Sequence, residues 1–335
     1  MTRIYTGIAA LAVLAACGGS SNPFTSTTGG GTTGSGGIEV PAAIANDLDS
    51  LNYDAANRTL TVSGLTQDGV PLVNTYNFVS EGQQVLTTST GQSYTAYING
   101  YTTFTAQNDP LGRHATAFVA SREGVQAGVV LTGGQFGDFF GGTFYERTGT
   151  YTAPVAPEGR FDVTYHGTYA AGLNGPGPVT DLLPINPALD PDVNTPNQAA
   201  YVRGLIFVNV DLNDMSVEGE IYNRTAVFQS GVVSPVPGDA PDDVQFAALP
   251  DIFLVEGTLE DDGSFAGVTD DDDGEIDTNG TFAGVIGGPN GESMVGGTSL
   301  TDFVDQLDNE IEYGVFVLDL CQAGDTDPIC LNAQP

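Results

Sequence analysis

Three groups of side chains in this sequence have the types and spacing for chemistry. The first is the run Asp270-Asp271-Asp272-Asp273-Gly274-Glu275-Ile276-Asp277. Hard carboxylate oxygens on a glycine-containing turn suit Ca²⁺, with Asp271, Asp273, Glu275 and Asp277 as candidate ligands. Placing Gly274 at the sixth position of a calcium loop puts Thr269 first and Gly280 twelfth, so the EF-hand pattern fails at both ends. The competing reading is a solvated acidic hairpin loop. The second group is Cys321 and Cys330, which enclose a short segment with Gly, Asp and Pro turn formers. In an oxidising compartment they are expected to pair as a disulfide. The alternative, a metal pair, lacks the usual further Cys or His ligands. The third is Cys17, at the end of a short apolar run. No catalytic constellation accompanies them. His114 and His166, the only histidines, sit in alternating strand-like segments, which suits structural or surface roles. No Ser-His-Asp order, HExxH, P-loop or dinucleotide glycine pattern stands out, so neither an enzyme nor a cofactor is expected. Asn57, Asn223 and Asn279 begin short glycosylation-type patterns that arise readily by chance.

The segment around Cys17 has a clear organisation. Arg3 supplies a positive start, Ile8–Ala16 an apolar stretch, and small residues precede the cysteine. The stretch is too short to span a bilayer, which needs about 20 residues. Leu14-Ala15-Ala16-Cys17 resembles the lipobox of bacterial lipoproteins. That resemblance implies cleavage before Cys17, acylation of its thiol (a palmitate-type anchor), and residues 1–16 as a signal peptide. Residues 17–37 then carry the lipid and a Gly/Ser/Thr tether that cannot bury enough apolar surface to fold. No Asp follows Cys17 at the position that resembles an inner-membrane retention signal, which favours the outer membrane.

Composition limits the partners. The chain of 335 residues has 42 acidic residues against eight arginines and no lysine, and a formal net charge of −34. From residue 211 onward, 27 acidic residues face one arginine, Arg224. Such a field repels nucleic acid and anionic membrane surfaces. It favours cationic partners, divalent cations or simple solubility in salt. An acidic proteome bias would give the same balance.

The elements that position these groups are strands. Short β-rich segments alternate with Gly, Asn, Asp and Pro clusters, and only residues 42–51 and 301–307 look briefly helical. Residues 38–155 carry strand-like runs at 59–63, 74–80, 93–99, 101–106, 115–121, 125–131 and 142–151, with a tight turn at 54–57. From 159 to 320 there are eight candidates: 160–170, 202–212, 216–223, 252–259, 264–268, 278–286, 293–298 and 310–320. Long Pro-rich loops at 174–197 and 234–250 interrupt them. Eight antiparallel strands joined mostly to sequence neighbours predict an up-and-down β-barrel, which removes exposed sheet edges. Phe282 is expected to face its interior, with Gly280 and Gly284 relieving crowding on the same face. Even-numbered positions of 207–212 should likewise share a face. Residues 321–335 form a C-terminal tail.

Three motifs carry a family resemblance. Phe161-Asp162-Val163-Thr164-Tyr165-His166-Gly167-Thr168-Tyr169 resembles the opening barrel strand of transferrin-binding protein B. Residues 207–221 look like that family's hairpin, in which a strand ending in Asp turns into one with a mid-strand Gly. Gly280-Thr281-Phe282-Ala283-Gly284, followed by Gly288-Pro289, Glu292 and Gly296-Gly297, resembles its closing signature. The likeness covers 159–320. It implies an all-β protein, with a strand-rich handle-like domain (38–155) before an eight-stranded antiparallel barrel (159–320). It also implies non-catalytic capture of a protein or metal-carrier ligand by a surface lipoprotein, perched beside an outer-membrane transporter. The chain has room for one lobe where that family has two, and its acidity differs. Transferrin binding is therefore not carried over, and no ligand-binding residue matches a transferable motif. The other expectation is a structural or adhesive acidic lipoprotein of the cell envelope.

Overall fold

A computed structural model of the chain describes residues 32–33, 37–65, 71–82, 84–87, 93–96, 100–109, 111–134, 139–177, 183, 188, 198–229, 244–271, 278–304 and 309–333. Cys17, most of the expected tether, and Asp273, Glu275 and Asp277 lie outside these residues. Within the tether range, Thr32–Thr33 pairs antiparallel with Glu39–Val40.

The first half forms one meander. Strands β1 (Leu48–Asp54), β2 (Thr59–Leu65), β3 (Pro71–Glu81), β4 (Thr102–Ala106), β5 (Ala115–Arg122), β6 (Val125–Thr132) and β7 (Gly141–Arg147) pair in chain order as an antiparallel seven-stranded sheet. A further hairpin joins Gln84–Thr87 to Ser93–Ala96. Residues 42–51, expected to be helical, split instead. Ala42–Ala45 makes a single turn, and Leu48 onward enters β1. Leu48 and Leu51 are buried there at a spacing that a helix would also accommodate, and pairing with β2 decides for strand. The sheet curls until its ends nearly meet. The Asp47 backbone N–H donates to Gly141 O at 3.1 Å, and Gly141 N–H donates to Asp47 Oδ2 at 3.1 Å. Between β1 and β2, the Asp54 carboxylate accepts the Ala56 and Asn57 N–H groups, which closes the predicted tight turn.

The second half closes completely. Strands β8 (Asp162–Pro176), β9 (Ala199–Asp211), β10 (Ser216–Gln229), β12 (Ile252–Leu259), β13 (Ser264–Asp271), β14 (Gly280–Gly287), β15 (Ser293–Thr301) and β16 (Ile311–Leu320) pair antiparallel with their neighbours around a ring. β16 returns to β8 with Tyr165 opposite Leu320 and Leu173 opposite Glu312. The extra strand β11 (Val244–Ala248) pairs with β10 outside the ring, within the stretch expected to be loop. The ring is the predicted eight-stranded barrel.

Period-2 alternation places the core. Val163, Tyr165, Tyr169, Ile206, Val208, Val210, Phe265, Phe282, Ile286, Phe316 and Leu318 pack together inside the ring. Phe282 has no exposed surface, as the sequence pattern predicts, and its ring packs at a tilt against Phe265. Glycines make room for these rings. A methyl group at Gly257 or Gly267 would run into the Phe282 ring, and one at Gly314 into the Tyr169 hydroxyl. An interior packed mainly with apolar side chains, behind a wall carrying Glu218, Glu220 and Asn209, is the reverse of a membrane-spanning barrel. Among the described residues no helix is long and apolar enough to cross a membrane.

The meander packs along the barrel wall. Val129, Val130, Leu131 and Tyr145 share one buried cluster with Val285, Val295, Val315 and Val317, which point outward from β14, β15 and β16. Tyr101 Oη donates to Thr168 O at 2.7 Å, Thr143 Oγ1 to Gly314 O at 2.9 Å, and Arg147 Nη1 to Ile286 O at 2.7 Å.

Candidate functional site at the long-loop end of the barrel

The two ends of the barrel differ. At one end, strands are joined by tight turns at 211–216, 259–264 and 287–293. Tyr165 closes this end by donating to Gly291 O at 2.6 Å. At the other lie the strand ends Pro176, Ala199, Gln229, Ile252, Asp271, Gly280, Thr301 and Ile311. The sequence between these ends contains both Pro-rich stretches and the acidic run, so all of them connect to one rim. Asp251, Asp270, Asp271 and Asp302 line its described part, while Glu310 is buried and accepts the Val304 N–H.

Beneath the rim lies a charged network with no exposed side chain. Arg224 Nη2 donates to both carboxylate oxygens of Glu312 at 2.8 Å, and neither side chain is exposed. Tyr169 Oη donates to Glu312 Oε1 at 2.7 Å and lies 2.8 Å from Thr298 Oγ1. Burial, then the Glu312 charge, hold the Tyr169 phenol well above the usual tyrosine range, so it stays a neutral donor. Arg224 Nη1 donates to Pro250 O at 2.6 Å, and its guanidinium stacks 4.8 Å from the centre of the Phe303 ring. One guanidinium thus ties the barrel wall to the ends of two rim segments.

A local irregularity aims Arg224 inward. From Val217 to Ile221, odd-numbered residues of β10 face the interior. Between Tyr222 and Thr225 the strand carries two residues, Asn223 and Arg224, opposite Gly204 alone on β9. This is a β-bulge. Asn223 has φ 52°, a left-handed value that Asn tolerates better than most residues. Its backbone N–H donates to Asp251 Oδ1 at 3.0 Å. After the bulge the even positions, Arg224 and Ala226, point inside. Sequence reasoning met Arg224 only as a lone cation and as the middle of a glycosylation-type pattern. Its partner lies 88 positions away, so only the closed ring brings them together.

The other singled-out residues fall elsewhere. Cys321 and Cys330 are bonded to each other. His166 faces outward from β8, with Nδ1 3.5 Å from Asp327 Oδ2. His114 is buried just before β5, and neither ring nitrogen has a hydrogen-bond partner. Burial pushes its pKa down to about 4, so it is neutral at pH 7. Asn279 is also buried and accepts a hydrogen bond from Thr269 Oγ1 at 2.9 Å. Asp271 ends β13 at the rim, the one described member of the candidate calcium set.

No protein-family model matches the chain, and no curated protein matches it. Solved structures do. A double mutant of transferrin-binding protein B from Haemophilus parasuis aligns at 12% identity and TM-score 0.36, covering 78% of this chain and 51% of that one. The intact two-lobed protein designated Ap-TbpB aligns at 12% identity and TM-score 0.36, covering 78% and 52%. A single mutant of the Haemophilus parasuis protein aligns at 11% identity and TM-score 0.32, covering 85% and 54%. The chain is thus similar to transferrin-binding protein B structures over most of its own length, and its match spans about half of theirs.

Proposed function

We propose that this protein is a lipid-anchored lipoprotein of the outer membrane, displayed at the cell surface. In this reading it captures a protein or metal-carrier ligand through the long-loop end of its barrel. It passes the ligand to a membrane transporter and performs no chemistry on it. One observation carries the reading: the four long connections of the barrel all run between strand ends at one rim, above a buried network in which Arg224, held by Glu312, bonds Pro250 O and lies against Phe303 at the ends of two of them. Variable loops on a fixed scaffold are a common form for recognition. The rim acids favour a ligand with a basic face and salt-sensitive association. The lipobox-like Cys17 and the Gly/Ser/Thr tether support an anchored head held away from the membrane.

The competing reading, a structural or adhesive envelope lipoprotein, draws on the acidity alone. Two measurements test the anchored-surface placement, and a third separates the two readings. External protease should shave the head from intact cells expressing the wild type, and Cys17→Ser should abolish acylation and membrane partitioning. A head protected until the outer membrane is opened, or an unacylated Cys17, overturns the anchored-surface reading. Neutralising Asp271 and Asp302 together should weaken recovery of bound ligand from extracellular fluid and flatten its salt dependence. Recovery of no ligand by the wild type favours the structural reading.

A further inference from the structure

The disulfide near the C-terminus has companions that the sequence did not place beside it. His166 on β8, Cys321 just after β16, Asp325 in the following turn and Cys330 on the last helix, α1 (Pro328–Ala333), each offer a ligand atom, and these atoms lie within 4.8 Å of one another. The four come from separate elements that are held in place. Cys321 N–H donates to Thr164 O at 2.8 Å, two residues before His166. The Asp325 carboxylate accepts the Gln322 N–H at 2.6 Å, and Cys330 is fully buried. Asp327 accepts the Ile329 N–H at 2.9 Å at the start of α1 and also stands beside the His166 ring. A carboxylate next to a ligating imidazole is the usual device for fixing its tautomer.

Two sulfurs, one imidazole and one carboxylate are a donor set for zinc. While the cysteines are bonded to each other, two of the four ligands are not thiolates. We propose that these residues form a redox-gated zinc site: reduction of the Cys321–Cys330 bond opens a tetrahedral pocket for Zn²⁺ made by Cys321, Cys330, His166 and Asp325. The reductant is a dithiol. It gives two electrons and two protons to the disulfide, releasing two thiols, and becomes a disulfide itself. Zinc then displaces both thiol protons to solvent and binds two thiolates. A shared zinc at about 2.3 Å from each sulfur holds the pair about 3.8 Å apart. The Cα atoms are 5.2 Å apart, so the side chains can reach that spacing with little movement of the backbone. The tail is thereby held in both redox states, to the end of β16 by a covalent bond in one, and to both β16 and β8 by the metal in the other. This site is remote from the long-loop rim and independent of the capture reading.

The test uses Co²⁺ as the probe on the full chain carrying Cys17→Ser, so that only these two thiols are present. After dithiol reduction and anaerobic removal of the reductant, one equivalent of Co²⁺ should give thiolate charge-transfer bands and the intense visible bands of a tetrahedral site. Zn²⁺ should bleach both. The oxidised chain should show neither, whatever cobalt its surface acids collect. His166→Asn and Asp325→Asn, each checked for native circular dichroism, should weaken Co²⁺ binding at least tenfold. Absence of thiolate bands in the reduced protein overturns the proposal, as does wild-type affinity in either variant.

Discussion

A guanidinium with no exposed atom is held only by what it bonds to. Arg224 has Glu312, Pro250 O and the Phe303 face, and its Nε has no hydrogen-bond partner. Removing one ion of a buried pair leaves the other unpaired in a low-dielectric interior. Arg224→Met should therefore cost about 3–5 kcal/mol in denaturant melts, while Arg224→Met with Glu312→Leu should recover most of that loss. Equal costs for the single and double variants would deny the pair its coupling. His114 makes the second argument at this scale. Its folded pKa of about 4 lies below the unfolded value of 6.5. A base with a depressed folded pKa contributes stability that is fully present above pH 6.5, lost as pH falls through 6.5 and gone near 4. The loss is about 3 kcal/mol at 1.36 kcal/mol per unit. Carboxylates held low by hydrogen bonds, such as Asp162 beside Arg160, add acid sensitivity of their own at lower pH. Melts from pH 7 to 4 should show a shallower decline for His114→Leu than for the wild type. Parallel declines would remove His114 from the account.

At the scale of the element, alternation decided most of what could be read. Most inward positions of the eight ring strands are apolar or glycine at every second residue, with Arg224, Thr269, Thr298 and Glu312 as polar exceptions, and short Asp- and Gly-bearing turns mark the tight connections. Phe282 on its inward face follows from that rule. Phe282→Ala should cost roughly 3–5 kcal/mol as a truncation in a filled core. A change within about 0.5 kcal/mol would place it on the wrong face. What broke the alternation was not legible. The bulge at Asn223-Arg224 is set by pairing with β9 and by Asp251, a partner 28 positions away. Likewise, β11 lies in a stretch whose prolines suggested only loop, and it forms because the upper half of β10 leaves an edge to pair with. Nothing in the pattern of Cys321 and Cys330 announced His166, because the neighbour is supplied by a strand at the other end of the barrel's chain order. The bulge yields its own prediction. A β-branched side chain resists φ 52° where glycine accepts it. Asn223→Val should destabilise by about 1–2 kcal/mol, whereas Asn223→Gly should stay within about 1 kcal/mol. Equal effects of the two would mean that the left-handed conformation is not what Asn223 supplies.

The whole molecule is organised by its seam. The outward faces of β14, β15 and β16 carry Val285, Val295, Val315 and Val317, residues that an isolated barrel would present to water. The meander covers them, and Tyr101, Thr143 and Arg147 tie its strands to backbone carbonyls of the barrel. Burial of that apolar surface, at about 25 cal/mol per Å², couples the two sheets more strongly than any one of the hydrogen bonds. The same coupling gives the rim its footing, because Glu312 in the network adjoins Tyr313 in the seam. A head of this kind should unfold as one unit. Residues 38–335 should give a single denaturant transition, with coincident far-ultraviolet and near-ultraviolet signals. Val295 has no exposed surface, so Val295→Lys forces an ammonium into the seam, and a buried charge without a partner is expelled at the expense of the contact around it. That variant should split the transition in two, with the barrel retaining the network that surrounds Arg224. Two transitions in the wild type, or one unchanged transition in Val295→Lys, would show that the sheets are joined by the chain alone.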